Sequence, residues 1–148
     1  MLLNESHRAL VALLHAEEAS CVVRRGDTVR LFRRRGVKDL YDLLKHDPAL
    51  LDGAFVADKV VGKGAAALLI LGGVREVYAD SVSEPALELL RQAGVAVAYG
   101  TAAPRILRRD GSGGCPVETL CSDCRTADEC LPRIEQFLEQ MHNREKQQ

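Results

Sequence analysis

The sequence predicts an α/β domain built on a mixed β-sheet. Three features indicate it: an early hairpin signal, a strand-helix alternation from residue 54 onwards, and glycines where the helices of that alternation should stop. Such alternation is typical of parallel strands joined by helical crossovers. A hairpin adds antiparallel strands, so we expect about five strands in a mixed sheet, with the hairpin at one edge.

The first fifty residues predict two helices and the hairpin. Asn4 is suited to cap an opening helix that continues to about Glu18, because its side chain accepts a hydrogen bond from a free amide of the first turn. Apolar and β-branched runs on both sides of Gly26-Asp27 predict two antiparallel strands joined by a tight turn. Helical spacing returns over residues 37–45, and Pro48 lies just beyond that helix.

The remaining elements follow a regular rhythm, with strands near 54–58, 74–80 and 95–99 and helices near 62–71 and 84–93. After Tyr99 the pattern fails, and we interpret "GTAAPRILRRDGSGGCP" as a loop. Thr126 and Glu129 have the spacing of a capping box for a last helix near 127–142. We expect residues 1–148 to form one domain, with its core at about 5–120.

Composition limits the classes of function. The chain has 148 residues, of which 47% are hydrophobic, enough for the core of one domain. A formal net charge of −1 and only 4% aromatic residues, with no Trp, argue against nucleic acid as a partner. The longest apolar run, residues 65–71, is too short to span a bilayer, and no signal peptide is evident, so we expect a cytoplasmic protein without a membrane partner.

The stretch "VADKVVGKGAA" places charge and glycine where a strand gives way to a helix. Amides at the start of a helix lack partners within it, and glycines let an anion approach them closely. The stretch therefore predicts a pocket for a phosphate or carboxylate group, formed by Asp58, Lys59, Gly62, Lys63 and Gly64. The alternative is that the glycines permit tight packing and the lysines are solvated.

A loop after the last predicted strand can close over the same pocket, because the carboxyl ends of parallel strands share one edge of the sheet. Arg109 can fork onto an anionic ligand, and Asp110 can hold that guanidinium in place. In a second hypothesis the surface is catalytic, with Asp58 or Lys59 as acid or base and Cys115 as nucleophile. Cys21 is better explained as a small buried hydrophobic residue.

Four cysteines cluster near the end of the chain with the spacing C-x5-C-x2-C-x5-C: Cys115, Cys121, Cys124 and Cys130. Thiolates at such spacing can bind zinc. The two outer spacings are wide, however, and Cys130 lies on the apolar side of the last helix. We therefore favour buried thiols over a zinc site, which stays open as the alternative.

The predicted hairpin is rich in positive charge, carried by Arg24, Arg25, Arg30, Arg33, Arg34, Arg35 and Lys38. Such a surface can contact an RNA backbone. A solvated face balanced by nearby acids is the better interpretation, because Phe32 is the one aromatic residue between these arginines.

Three stretches together resemble the domain-of-unknown-function family eighteen ninety-three: "VADKVVGKGAA", "GGVREVYADSVSEPALELLRQAGV" and "YGTAAPRILRRDGSGGCP". The resemblance implies a three-layer α/β/α fold similar to that of cytidine deaminases. A zinc deaminase needs a Pro-Cys-x-x-Cys at the start of one helix, whereas here Ala86 and Leu89 follow Pro85 in place of the two cysteines. The metal ligands are therefore absent, and zinc-dependent deamination is not expected.

The sequence thus predicts a regulatory domain that binds an anionic metabolite or nucleotide between residues 58–64 and 105–115. An enzyme of different mechanism and an RNA-contacting module are the alternatives. An exposed sheet edge is also compatible with a symmetric homo-oligomer.

Overall fold

The computed structural model describes residues 3–34, 36–106 and 115–146. Five strands and seven helices follow one another in these ranges: α1 (Glu5–Ala16), β1 (Cys21–Arg25), β2 (Thr28–Phe32), α2 (Lys38–His46), α3 (Pro48–Leu51), β3 (Phe55–Val61), α4 (Lys63–Leu71), β4 (Glu76–Ser83), α5 (Glu84–Gln92), β5 (Ala96–Ala103), α6 (Pro116–Leu120) and α7 (Ala127–Lys146). The α/β class is confirmed.

The five strands form one mixed sheet in the order β2-β1-β3-β4-β5. β1 is antiparallel to β2 and β3, whereas β3, β4 and β5 are parallel. The hairpin turn at Gly26, whose φ of 58° suits glycine, places β2 at the edge. The mixed sheet with the hairpin at one edge is therefore confirmed.

Helices cover both faces of the sheet and bury two separate hydrophobic clusters. On one face, Leu10 and Leu14 of α1 pack on Val22, Phe55 and Ala57 of the sheet. The other face carries the larger cluster, to which α2, α4, α5 and α7 contribute. The helix α4 is apolar all round because it packs against α2, α5 and α7 as well as the sheet.

The caps of the first and last helices agree with the sequence. The Asn4 side chain accepts a hydrogen bond from His7 N at 2.8 Å. Thr126 Oγ1 accepts one from Glu129 N at 3.3 Å, while the Glu129 carboxylate reaches back to Arg125 N. α7 ends at Lys146, four residues later than predicted.

The main differences in the elements lie at the carboxyl ends of the parallel strands. β3, β4 and β5 each continue three or four residues past their predicted ends, to Val61, Ser83 and Ala103. The polar residues there lowered the apolar signal that predicts a strand, although parallel pairing continues through them. The short helices α3 and α6 were not predicted. No helix in the described ranges has the length and apolar character needed to cross a membrane.

Candidate functional site at the carboxyl edge of the sheet

Much of the buried charge lies where the parallel strands end. Among the described residues six polar or charged side chains are buried, and four of these belong to β3, to β4 or to the helices that adjoin their ends: Asp58, Lys63, Ser83 and Glu118. Burying a charge is costly unless it is paired or hydrogen-bonded. The hydrogen-bond partners of these four side chains therefore determine which chemistry is available at the carboxyl edge of the sheet.

The start of α4 holds a carboxylate of the same chain. The backbone amide of Lys63 donates to Glu118 Oε2 at 2.9 Å, and the amide of Ile106 donates to Glu118 Oε1 at 3.1 Å. We call Gly62, Lys63, Ile106 and Glu118 the carboxyl-edge site. Amides at a helix start favour negative charge, and here they meet a carboxylate. In this structure Glu118 lies where the sequence analysis expects the anionic group of a ligand, and binding of a ligand there stays a prediction.

The two glycines make room for α6. A Cβ at Gly62 would lie 2.5 Å from Glu118 Oε2, and one at Gly64 would overlap the Val117 side chain. Neither contact is tolerable, so both positions require glycine while α6 is docked. This geometry agrees with the alternative of tight packing, although the packing partner is α6 and not the sheet.

The Lys63 ammonium is also used internally. Its Nζ donates to the carbonyl of Ser122 at 3.2 Å and to that of Cys124 at 2.5 Å, and the residue is only 7% exposed. The prediction of a solvated or ligand-facing charge at Lys63 is therefore wrong. This lysine instead ties α4 to the turn between α6 and α7. Lys59 is half-buried, and its amide donates to Ser20 O at 3.1 Å.

Asp58 is a buried acid on the strand that leads to the site. It is 8% exposed, and its Oδ1 accepts a hydrogen bond from Val60 N at 3.3 Å. Burial raises the pKa of Asp58 to about 7, against the hydrogen bonds from the amides of Val60 and Lys59, which act to lower it. Cys21 lies opposite Asp58 in the β1-β3 pair.

Cys21 is buried in the larger cluster, as predicted. Burial, followed by the charges of Asp58 and Asp39, raises the pKa of the Cys21 thiol well above its usual value. Such a thiol is a poor nucleophile at neutral pH because little of it is ionised.

The segment after β5 is only partly described. Arg109 and Asp110 lie outside the described residues, so their predicted roles are not addressed by the structure. Cys115 is half-buried, and its amide donates to Ile106 O at 2.9 Å. Ile106 thus connects Cys115 to the same neighbourhood as Glu118 and Lys63. Among the described residues, no hydrogen bond joins Asp58 to Cys115, Glu118 or Lys63.

The cysteines beyond Cys115 gather between α6 and α7. Cys121, Cys124 and Cys130 are buried. The neighbouring Cys130 thiol lowers the pKa of Cys121, whereas Cys121 raises that of Cys130. Within the described ranges no three His, Cys, Asp or Glu side chains are arranged to hold a metal ion. Zinc binding by this cluster stays an untested alternative.

Three of the arginines in and beside the hairpin have acidic partners. Arg30 pairs with Asp47 at 3.2 Å, and Arg33 pairs with Glu17 at 3.6 Å. Arg34 bonds both Asp39 and Asp42. These ion pairs agree with the interpretation of a charge-balanced face rather than an RNA surface.

Glu118 is the site residue that the sequence analysis missed. It belongs to a five-residue helix with Pro116 at its start, and an acidic residue in a first turn is typical of a helix start. That local signal stood directly after the predicted loop. Nothing in the sequence, however, indicated that the side chain would reach the start of another helix.

Comparison with known proteins agrees with this fold. No curated protein matches the chain. One similar solved structure is the crystal structure of TM1506, a DUF1893 family protein from Thermotoga maritima, with a TM-score of 0.82 and 26% sequence identity over 91% of this chain and 92% of that one. The sequence profile of the family described as "Domain of unknown function (DUF1893)" matches residues 9–138. Because the match spans most of the sequence, the chain belongs to the DUF1893 family.

Proposed function

We propose that the protein binds a small molecule bearing a carboxylate or phosphate group at the carboxyl-edge site, in exchange for Glu118. The observation that carries this proposal is the coordination of the Glu118 carboxylate by amides of two separate segments, Lys63 N and Ile106 N. Backbone amides at a helix start bind external carboxylates and phosphates in the same manner. The carboxyl-edge site therefore has the chemistry of an anion-binding site, and in this structure the Glu118 carboxylate occupies it.

The exchange gives the site a regulatory output. Glu118 lies on α6, and Lys63 binds the carbonyls of Ser122 and Cys124, which follow that helix. An anionic ligand that replaced Glu118 would release α6 from α4. The negative charge beside the amides of Lys63 and Ile106 would stay nearly the same. Glu118 competes with the ligand for the same amides and so lowers the apparent affinity of the ligand. The intrinsic affinity of the carboxyl-edge site is therefore measurable only in a variant that lacks the Glu118 carboxylate.

The proposal involves no zinc-dependent deamination. A deaminase-like arrangement of the three layers stays a prediction from the family resemblance. Ala86 and Leu89 occupy the start of α5, at 0% and 6% exposure, and their side chains have no group that binds a metal.

Chemical rescue tests the exchange. Glu118→Ala should destabilise the protein, and acetate should restore thermal stability by taking the place of the lost carboxylate. Thermal unfolding is measured in sodium acetate and in sodium chloride at equal ionic strength. The expected result is a rise in Tm that is specific to acetate and to this variant, with the exposed-site variant Glu139→Ala as the control.

A second substitution sharpens the assay. Adding Gly62→Ala to the Glu118→Ala protein should abolish the rescue, because the new methyl group would occupy the space beside the amide. Equal effects of acetate and chloride on the Tm of Glu118→Ala would show that Glu118 has only a structural role, which is to hold α6 against α4.

An enzyme is the second candidate, and one observation favours it. A carboxyl group with a pKa of about 7, such as Asp58, is suited to proton transfer at neutral pH. In this hypothesis Asp58 or Lys59 acts as acid or base and Cys115 as nucleophile. A covalent adduct on Cys115 after incubation with a cell extract, found by intact-protein mass spectrometry and absent in Asp58→Asn, would favour catalysis over binding.

A further inference from the structure

A second polar site lies at the opposite, amino edge of the sheet. A cleft of about 260 Å³ opens there between the start of α1 and the adjoining ends of β1, β3 and β4. We call it the amino-edge cleft, and its polar side chains are those of Asn4, His7, Arg24, Arg75 and Glu76. None of them belongs to the carboxyl-edge site.

His7 is the buried polar group of this cleft. It is 4% exposed, and its ring stacks on Phe55 with 4.1 Å between the ring centroids and 4° between the planes. Its Nε2 lies 2.9 Å from Glu76 Oε2. Its Nδ1 is buried and has no hydrogen-bond partner within the described ranges, which is a costly state that a bound group would relieve.

Two guanidinium groups line the same cleft. Arg24 lies over the Phe55 ring, 5.9 Å from its centroid, and donates to Ser6 Oγ, while Arg75 precedes β4 and is exposed. In the part of the chain that the structure describes, neither is paired with a carboxylate, in contrast to Arg30, Arg33 and Arg34.

The charge balance of the cleft favours an anion. Glu76 is its one carboxylate among the residues named, and it is already engaged by His7. The positive charge of the two guanidinium groups therefore exceeds the negative charge of this one carboxylate. The amino end of the twelve-residue α1 adds a positive partial charge.

We infer that the amino-edge cleft binds a small oxyanion, the phosphate or carboxylate group of a metabolite, between Arg24 and Arg75. Guanidinium groups present forked N–H donors that match both oxyanions. Glu76 holds the His7 ring through Nε2, which leaves Nδ1 as the ring nitrogen that a bound group can reach. The volume suits a small molecule. This inference is independent of the carboxyl-edge site.

Calorimetric titration of the full chain with inorganic phosphate, and separately with malonate, tests the inference at constant ionic strength. We expect one anion per chain, and an affinity at least tenfold weaker in Arg75→Ala. Arg75 makes no hydrogen bond through its side chain within the described ranges, so this variant should fold normally. Arg75→Lys keeps the charge without the fork and should be intermediate, whereas Arg91→Ala on α5 should match the unmodified protein. The preferred anion identifies the group recognised.

Absence of binding heat with both anions, or equal affinities in Arg75→Ala and the unmodified protein, would overturn the inference. His7→Gln, which keeps a donor for Glu76 but removes the second ring nitrogen, should also weaken binding. The two sites have separate readouts: the acetate rescue is read in the thermal stability of Glu118→Ala, whereas this cleft is read in the dependence of anion affinity on Arg75, so failure here and failure of the acetate rescue are distinguishable.

Discussion

The buried carboxyl of Asp58 predicts how stability depends on pH. Burial raises its pKa from 3.8 to about 7 in the folded protein, whereas the unfolded chain exposes it to water. Between these values the folded state holds more protons than the unfolded state, so the free energy of unfolding should decrease as pH rises. The stabilising contribution of the protonated form is full below pH 4 and is lost by about pH 7.

Asp58→Asn removes this titration and keeps an oxygen that can accept the Val60 amide. Each pKa unit corresponds to about 1.4 kcal/mol, so ionised Asp58 costs on the order of 4 kcal/mol above pH 7. The variant should therefore resemble the unmodified protein at pH 4 and be more stable at pH 8 by up to that amount.

Urea unfolding followed by circular dichroism between pH 4 and 8 measures both proteins, with Glu139→Gln on the exposed side of α7 as the control. The decisive quantity is the difference in unfolding free energy between Asp58→Asn and the unmodified protein as a function of pH. A difference that stays constant over this range would refute the reasoning, because it would mean that Asp58 titrates alike in the folded and unfolded states.

Three other results are expected. Gly62→Ala should lower the free energy of unfolding by about 1 to 3 kcal/mol, and by less in a Glu118→Ala background, because the added Cβ clashes with that carboxylate; additive losses in a denaturant series would contradict this. Iodoacetamide should label half-buried Cys115 before buried Cys121 in peptide mass spectrometry of the native protein, and equal labelling rates would count against the described burial. Arg34→Ala should cost about 1 to 3 kcal/mol by calorimetry, because it removes the guanidinium that donates to buried Asp39 and leaves only the backbone amide of residue 34, whereas Lys38→Ala should cost less.

The framework of the fold was predictable because it depends on local patterns. Asn4, the turn at Gly26 and the alternation beyond residue 54 each act within a few residues of sequence, and each is found in the structure. The extended strand ends were missed because pairing with a neighbouring strand stabilises polar residues such as Ser81, whose own preference for a strand is weak.

The candidate site was predictable only in part. Free amides at the start of α4 correctly indicated an attraction for negative charge, since that property belongs to the helix itself. The source of the charge was not predictable, because Glu118 lies 55 residues away from Lys63 in the chain and α6 has no periodic pattern of its own. The surroundings of His7 likewise depend on residues far away in the chain, since its ring stacks on Phe55 of β3 and contacts Glu76 of β4.

The burial of α4 bears on how the polypeptide folds during synthesis. Its outer side is covered by α7, where Ile134 is fully buried, and its amino end is closed by α6. A nascent chain that has emerged only as far as β5 has all five strands but leaves an apolar helix exposed to water. Completion of the native state must therefore wait for α6 and α7 to leave the ribosome, and until then α4 is a surface for chaperones or for aggregation.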